Sequence, residues 1–474
     1  MTEFDLIVLG AGPAGISAAV VAAAAGLKVA LFDENPAAGG QVYRLPLDTS
    51  ESTQAAEERV GHQLRQDLAA SAVQTFFAHQ VWAATGDYRI DAIGPRGPVH
   101  CAARALIVAA GTTERVVPFE GWTTPGVIGL AAASLLLGSQ QILPGRSTLI
   151  VGCGPLLAAV AAKTVANGGT IDAIADLASV GEWARALPAM LSCPELLRRG
   201  IGWWRTLRRA RVPILARHTI IKVEPVGERL RATLAPCDAA GRPRAGKHRT
   251  ALVDCVAVGH GLTPATELTR LLRAAHHYSR AAGGWIPIAD QDGRSSRPRL
   301  YVAGDAAGIA GAAAAATHGA SAALACALEL GGADRSRLER LLEAARARHK
   351  RAARFGRAMA RLMALRAGHV DAIAPETIVC RCEDTTCAEI DEAFQAGACD
   401  LNQLKAWTRC GMGPCQGRTC GDIAGELLAR RTRVRSREYV GCFSARTPLR
   451  PVAIEALTGD FNYEDIPIPT AAPI

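Results

Sequence analysis

Four apolar residues, Leu6-Ile7-Val8-Leu9, run directly into Gly10-Ala11-Gly12-Pro13-Ala14-Gly15, and few sequence features limit a fold so tightly. The apolar run is a buried strand, and the alanine-rich stretch Ile16–Ala25 after the glycines is a helix stopped by Gly26. Val29-Ala30-Leu31-Phe32 forms the next strand and ends at Asp33, 23 residues after Gly10. Gly10 permits the tight turn, Gly12 lets backbone amides approach a pyrophosphate, and Gly15 lets helix and strand pack closely. Pro13 and Ala14 open the helix, whose amino end favours phosphate charge. Asp33, followed by Glu34, can accept hydrogen bonds from a ribose. The spacing predicts a dinucleotide cradle. Leu6–Leu27 carries no charged side chain and is long enough to span a membrane, but its glycines divide it into strand, turn and helix.

At 474 residues the chain has length for about three domains. A net charge of +9 invites a nucleic-acid reading until the charge is located. Residues 334–366 hold a net +8 and residues 193–217 a net +6, so the remainder is mildly acidic. The first window places Leu338, Leu341, Leu342, Phe355, Met359 and Leu362 at helical spacing, which predicts one or two amphipathic helices. The second has Trp203 and Trp204 beside its arginines, suggesting a contact surface. Neither window interleaves aromatic and basic residues as nucleic-acid binding requires, so nucleic acid is not expected as a partner.

A second strand–turn–helix follows at Ser147–Val151, then Gly152-Cys153-Gly154-Pro155-Leu156-Leu157, with a further strand ending at Asp176. Gly152 and Gly154 repeat the cradle, but Leu157 stands where a small residue would allow close helix–strand packing. The unit predicts the fold of a nucleotide domain while leaving its occupant open: NAD(P), another nucleotide such as ATP, or nothing.

Eight of the fourteen cysteines lie between residues 380 and 442. No cationic segment precedes the first apolar run, so an exported disulfide framework is not expected and the cluster reads as metal or redox. Cys380-x-Cys382, 32 intervening residues and Cys415-x4-Cys420 give two thiolates at each end, as a [2Fe–2S] cluster requires. Cys-x-Cys is tight for zinc, which usually takes pairs two to four residues apart. Cys410 competes with Cys415; the flanking Gly411, Gly413 and Gly417 favour Cys415 with Cys420. Cys387, Cys399 and Cys442 read as ordinary buried thiols. Glu389–Ala396 and Ile423–Arg430 read as helices that hold the two ends together. Arg381, Lys405 and Arg409 lie near candidate ligands, where positive charge would raise a cluster's potential.

Three further segments resemble the two-dinucleotide-domain flavoproteins and imply FAD in the first cradle. Gly39-Gly40-Gln41, leading to Arg44, resembles the loop over the pyrophosphate and ribityl arm. Arg104–Thr112, ending at Gly111 and Thr112, resembles the strand that re-enters the FAD domain. Arg299–Gly308 is similar to the second FAD signature, in which Gly304 and Asp305 would meet the ribityl chain. In the same flavoproteins the unit at 147–176 is a nicotinamide-binding insertion. A disulfide-reductase mechanism is excluded: no cysteine precedes Cys101, and Cys153 has no neighbour within six residues.

With CRC…GMGPCQGRTC at its end, the chain resembles a group of FAD-containing polypeptides. These are the α subunits of opine oxidases (octopine and nopaline type), the HcnB-type chain of hydrogen cyanide synthase, and the α subunits of D-hydroxyproline and dye-linked L-proline dehydrogenases. Its tail is similar to bacterioferritin-associated ferredoxin domains, with Cys-x4-Cys in place of their final Cys-x2-Cys. The resemblance implies an α/β two-dinucleotide-domain flavoprotein with a small helical [2Fe–2S] domain. The implied divisions are a split FAD domain at 1–113 and 252–330, an insertion at 114–251, a basic helical linker at 331–372, the cluster domain at 373–432 and a docking tail at 433–474. It also implies a hetero-oligomer, in which a β subunit resembling D-amino-acid oxidases oxidises an amine and this chain takes the electrons onward. A small third subunit is compatible with it, as is an FMN held between subunits. The chain is expected in the cytoplasm or peripherally at the inner membrane, not within it. The rival readings are a self-sufficient NAD(P)H:acceptor oxidoreductase and a zinc-bearing regulatory protein.

Overall fold

The structure is a computed structural model describing residues 2–45 and 56–458. The strand Thr2–Leu9 is central to a seven-stranded sheet, parallel to Val29–Phe32 on one side and to the long strand Gly97–Val108 on the other. The long strand bends this sheet into two functions. Its first half pairs antiparallel with Arg89–Gly94, while its last residues pair in parallel with Leu300–Val302. Alternation along Thr2–Leu9 sends Leu6 and Val8 to one face and Phe4, Ile7 and Leu9 to the other, so both faces are buried. On the first face lie the helices Pro13–Ala24 and Ala312–Glu329, both rich in alanine. Small residues let them touch: a Cβ at Gly319 would overlap the Ala14 carbonyl.

The chain leaves and returns through a two-strand crossing, Thr112–Glu114 against Leu262–Pro264. Between these strands lies a second parallel sheet, ordered Ile214–Ala216, Thr170–Asp176, Ser147–Gly152, Cys255–Gly259 and Val127–Gly129. A three-stranded meander spanning His218–Val226, Arg229–Pro236 and Arg249–Val253 accompanies it. The inserted sheet therefore runs to Gly259, past the boundary at 251 that sequence suggested. Ser147–Gly152 needs Cys255–Gly259 as its second parallel neighbour.

The basic window 334–366 forms one helix of 28 residues, Arg335–Leu362, with Asp334 capping the Arg337 amide. Leu338, Leu342 and Ala345 pack on the flavin-type domain, and Met359 and Leu362 pack on the insertion. Gly356 allows that crossing, because a Cβ there would overlap the Ala310 carbonyl. In the second window the helix Pro194–Arg209 half-buries Trp203 and exposes Trp204 under the Arg208 guanidinium. Among the described residues no helix is long and apolar enough to cross a membrane.

The cysteine-rich module is built on helices Cys387–Gln395, Leu401–Thr408 and Gly421–Arg431. The first carries a reciprocal capping box between Thr386 and Glu389. The middle helix, capped by Asp400, was not read from sequence. The tail from 433 continues as the short helix Arg437–Val440 and reaches the flavin-type domain where the Leu449 amide meets the Trp82 carbonyl at 2.8 Å; its residues 459–474 lie outside the described ones.

Buried polar contacts dock the module on the rest of the chain. Arg115, 2% exposed, donates to Asp422 at 2.7 Å and to the Gly283 carbonyl at 2.6 Å. Tyr278 and Arg280 donate to buried Glu426, and the Trp122 indole donates to the Ile378 carbonyl at 2.7 Å. Breaking a buried pair from one side leaves an uncompensated charge and costs about 3–5 kcal/mol. Arg115→Met should therefore lower the thermal midpoint and open the module to protease, and adding Asp422→Leu should recover part of the loss. A single substitution costing under about 1 kcal/mol would rule this pair out as the clamp.

Candidate functional site

A cavity of about 480 Å³ opens at the carboxyl end of the first parallel sheet. Gly10 takes φ +101° against the Ala109 carbonyl, where an L side chain would be both strained and blocked. Gly12 leaves its side-chain space toward Gly40, 3.9 Å from the Gly40 Cα, and Gly40 itself needs φ +62°. No side chain caps the helix at Pro13, so its first amides remain available to an anion.

Gly10, Gly12, Pro13, Ala14, Asp33, Glu34, Gly40, Gln41, Gly111, Thr112 and Asp305 all line this cavity. Asp33 also knits the turn: it accepts from the Ala11 amide and, at 2.8 Å each, from the Asn35 amide and side chain. Asp305 accepts from the amides of Ala310 and Gly311 at 2.8 Å, and burial raises its pKa against these bonds. Gly15, Gly304 and Arg44 lie outside the lining. Gly15 faces the Gly10 carbonyl and Gly304 abuts Ala14, so both act by close packing. Arg44 donates to Asn35 at 2.6 Å and leaves its buried Nε without a partner, an orphan donor behind the acidic rim. Glu267, Arg418, Leu449 and Arg450 line the cavity too and carry no local motif that would have revealed them.

The sulfurs of Cys380, Cys410 and Cys420 lie within 4.8 Å of one another and are buried, with Cys410 and Cys420 3.8 Å apart. Cys382, exposed, and Cys415, half-buried, share a hydrogen bond at the rim. All four expected ligands thus come together with Cys410 as a fifth thiol. Left-handed turns at Arg409 and Gly411 fold Cys410 inward, and Gly411, Gly417 and Gly421 rest on the Phe443 ring. Cys380 is held low, to about 2, by hydrogen bonds from the Cys410 and Cys420 thiols and by the amides of Gly411 and Glu383. Of the remaining three, Cys387 is buried while Cys399 and Cys442 are half-exposed. Arg409 is engaged by Glu383 at 2.8 Å.

The second cradle has the right backbone and a different content. Gly152 and Gly154 take φ +148° and +91°. Over Gly154 lies Met363, its Cγ and Sδ only 2.5 and 2.8 Å from where a Cβ would stand. Asp176, the acid at the end of the following strand, is buried and spent: it accepts from the Ala178 amide and the Trp183 indole. Leu157 fills the insertion's core.

Residues 4–320 match the pyridine nucleotide-disulphide oxidoreductase family, and residues 374–460 match the sarcosine oxidase A3 domain. The A-type chain of opine oxidase from Agrobacterium tumefaciens is 34% identical, with 96% of this chain and 91% of the relative covered. This chain belongs to the family of opine oxidase A-type chains. The HcnB chain of hydrogen cyanide synthase from Pseudomonas aeruginosa is 32% identical to this member of the family, covering 95% of the chain and 97% of the relative. L-proline dehydrogenase from P. horikoshii shares its fold at a TM-score of 0.68 and 19% identity, covering 96% of this chain and 80% of that one. Thioredoxin reductase of T. acidophilum aligns at a TM-score of 0.51 and 18% identity, over 69% of this chain and 99% of its own. The resemblance carried by the motifs thus holds. The opine oxidase-type chain is a flavoprotein oxidoreductase whose first cavity is that of an FAD-binding domain.

Between the two cradles Glu114 begins the crossing and accepts from the Ala131 amide at 2.8 Å. Burial pushes its carboxyl from 4.5 up to about 7. The folded chain therefore holds a proton that the unfolded chain releases. The stability this confers is complete below pH 4.5 and is lost as pH rises through 7. The loss is about 3 kcal/mol. Glu114→Gln should flatten the corresponding part of the stability profile between about pH 5 and pH 8 in denaturant titrations. Parallel wild-type and variant profiles would refute the assignment.

Proposed function

We propose that this chain is the FAD- and [2Fe–2S]-containing electron-transfer subunit of a multi-subunit amine or amino-acid dehydrogenase. The observation that carries the reading is the juxtaposition of the FAD cavity and the thiol cluster through one side chain. Arg418 lines the cavity and donates to the Cys415 carbonyl at 2.9 Å. FAD accepts an electron pair and releases electrons singly, which is the chemistry a one-electron cluster needs beside it.

In this reading the Gly10–Gly15 turn and the helix after it hold the pyrophosphate, Asp33 the ribose, and Asp305 the ribityl arm. Cys380 and Cys420 anchor the cluster at its buried end. Cys382 and Cys415 complete it at the rim, with Cys410 held close as a packed neighbour. The relatives named as subunits of opine oxidase and hydrogen cyanide synthase support a hetero-oligomer. Oxidation of the amine falls to the partner, a flavoprotein of the D-amino-acid-oxidase type. All fourteen cysteines are free thiols, which supports a reducing compartment, the cytoplasm.

A self-sufficient NAD(P)H:acceptor oxidoreductase is disfavoured by the second cradle, since Met363 stands over Gly154 and Asp176 has no acceptor capacity facing outward. The isolated chain should therefore keep its flavin absorbance when mixed with NADH or with amino acids alone. It should bleach when the partner flavoprotein and its amine substrate are both added. Rapid bleaching of the lone chain by NADH would overturn the reading in favour of its rival.

A further inference from the structure

The charged lining of the FAD cavity is lopsided. Asp33, Glu34, Glu267 and Asp305 contribute carboxylates from the flavin-type domain. The arginines that line it, Arg418 and Arg450, both come from the C-terminal end of the chain. A dinucleotide's pyrophosphate is anionic, and the amides of a glycine turn and a helix end offer it only partial charge. We infer that the cysteine-rich module completes the dinucleotide site, with Arg418 as its cationic binding residue, so that cofactor retention and docking of the module are coupled.

Arg418 is built for that position. Its side chain is 16% exposed, and Glu267 accepts from Nε at 2.7 Å, fixing the plane of the guanidinium. Nη1 donates to the Cys415 carbonyl at 2.9 Å and Nη2 to the Leu449 carbonyl at 2.8 Å. Each terminal nitrogen carries two hydrogens, so one on each remains for a ligand. The three partners come from the flavin-type domain, the thiol loop and the tail, and they converge only when all three are docked. By linkage, a ligand that binds the docked arrangement stabilises it, and docking raises the ligand's affinity by the same factor. Arg450, with Nη1 on the Leu449 carbonyl at 3.2 Å, adds a second cation beside the first.

This inference rests on the reading of the cavity as an FAD site. The test uses the full chain with Arg418→Gln, and Arg418→Lys as the variant that keeps charge but loses the planar fork. FAD affinity is read by equilibrium dialysis and by the fluorescence of released flavin. Proteolysis at the linker before Cys380 is followed with and without added FAD. Arg418→Gln should weaken FAD binding at least about tenfold, the size of a lost charge-assisted hydrogen bond, with the lysine variant between. FAD should protect the linker in the wild type and fail to do so in Arg418→Gln. Equal affinity in wild type and Arg418→Gln, or undiminished protection, would overturn the coupling while leaving FAD binding intact. A wild-type chain that binds no FAD would overturn the functional reading along with it.

Discussion

A guanidinium shut away from water must be compensated where it stands, and Arg115 finds its compensation 307 residues further along the chain. Asp422 takes its Nε, the Gly283 carbonyl takes an Nη, and the site closes around both. Asp422 lies in the first turn of the helix Gly421–Arg431, immediately after Cys420. The residue that neutralises the crossing strands therefore also fixes the helix carrying a buried thiol. Neither domain can be correctly formed at this surface without the other, and the flavin-type cavity and the thiol cluster become parts of one rigid arrangement.

That arrangement gives the chain its division of labour. The cavity is roofed by Arg418 and Arg450 from the C-terminal end, and the thiols stand on the other side of the same loop. The insertion, by contrast, has turned its nucleotide cradle into a seat for the linker helix. Met363 occupies the place above Gly154, and Met359 and Leu362 pack beside Trp183 and Ala186. A fold family that elsewhere brings nicotinamide to flavin here uses the insertion to hold the helix leading to the cysteines. In the proposed reading, electrons for such a chain come from a partner flavoprotein, in line with the naming of its relatives as parts of larger enzymes.

What could be read from the sequence was whatever is local. Gly10, Gly12 and Gly15 are interpretable because the turn they make is complete within six residues, and Asp33 because one strand length separates it from them. Even so, its bonds to the Ala11 amide and to Asn35 were not foreseen, since they depend on how the turn closes. Met363 over Gly154, and Arg418 in the cavity, join segments far apart in the chain and leave no periodic trace. The thiols fall between these cases. Spacing identified the cluster, but spacing is one-dimensional, and the left-handed residues Arg409 and Gly411 return Cys410 to the centre of the group. The insertion's true end at Gly259 was hidden for a similar reason, because sheet order decides which strand belongs to which layer.

The central claim is that one chain carries both a two-electron and a one-electron centre, and stoichiometric reduction tests it most directly. The purified chain would be titrated anaerobically with dithionite while absorbance and the EPR spectrum are followed together. The account predicts uptake of about three electrons per chain, two by FAD and one by a [2Fe–2S] cluster whose rhombic signal appears on reduction. Uptake of only about two electrons, with no cluster signal and with zinc bound at the cysteines, would contradict it.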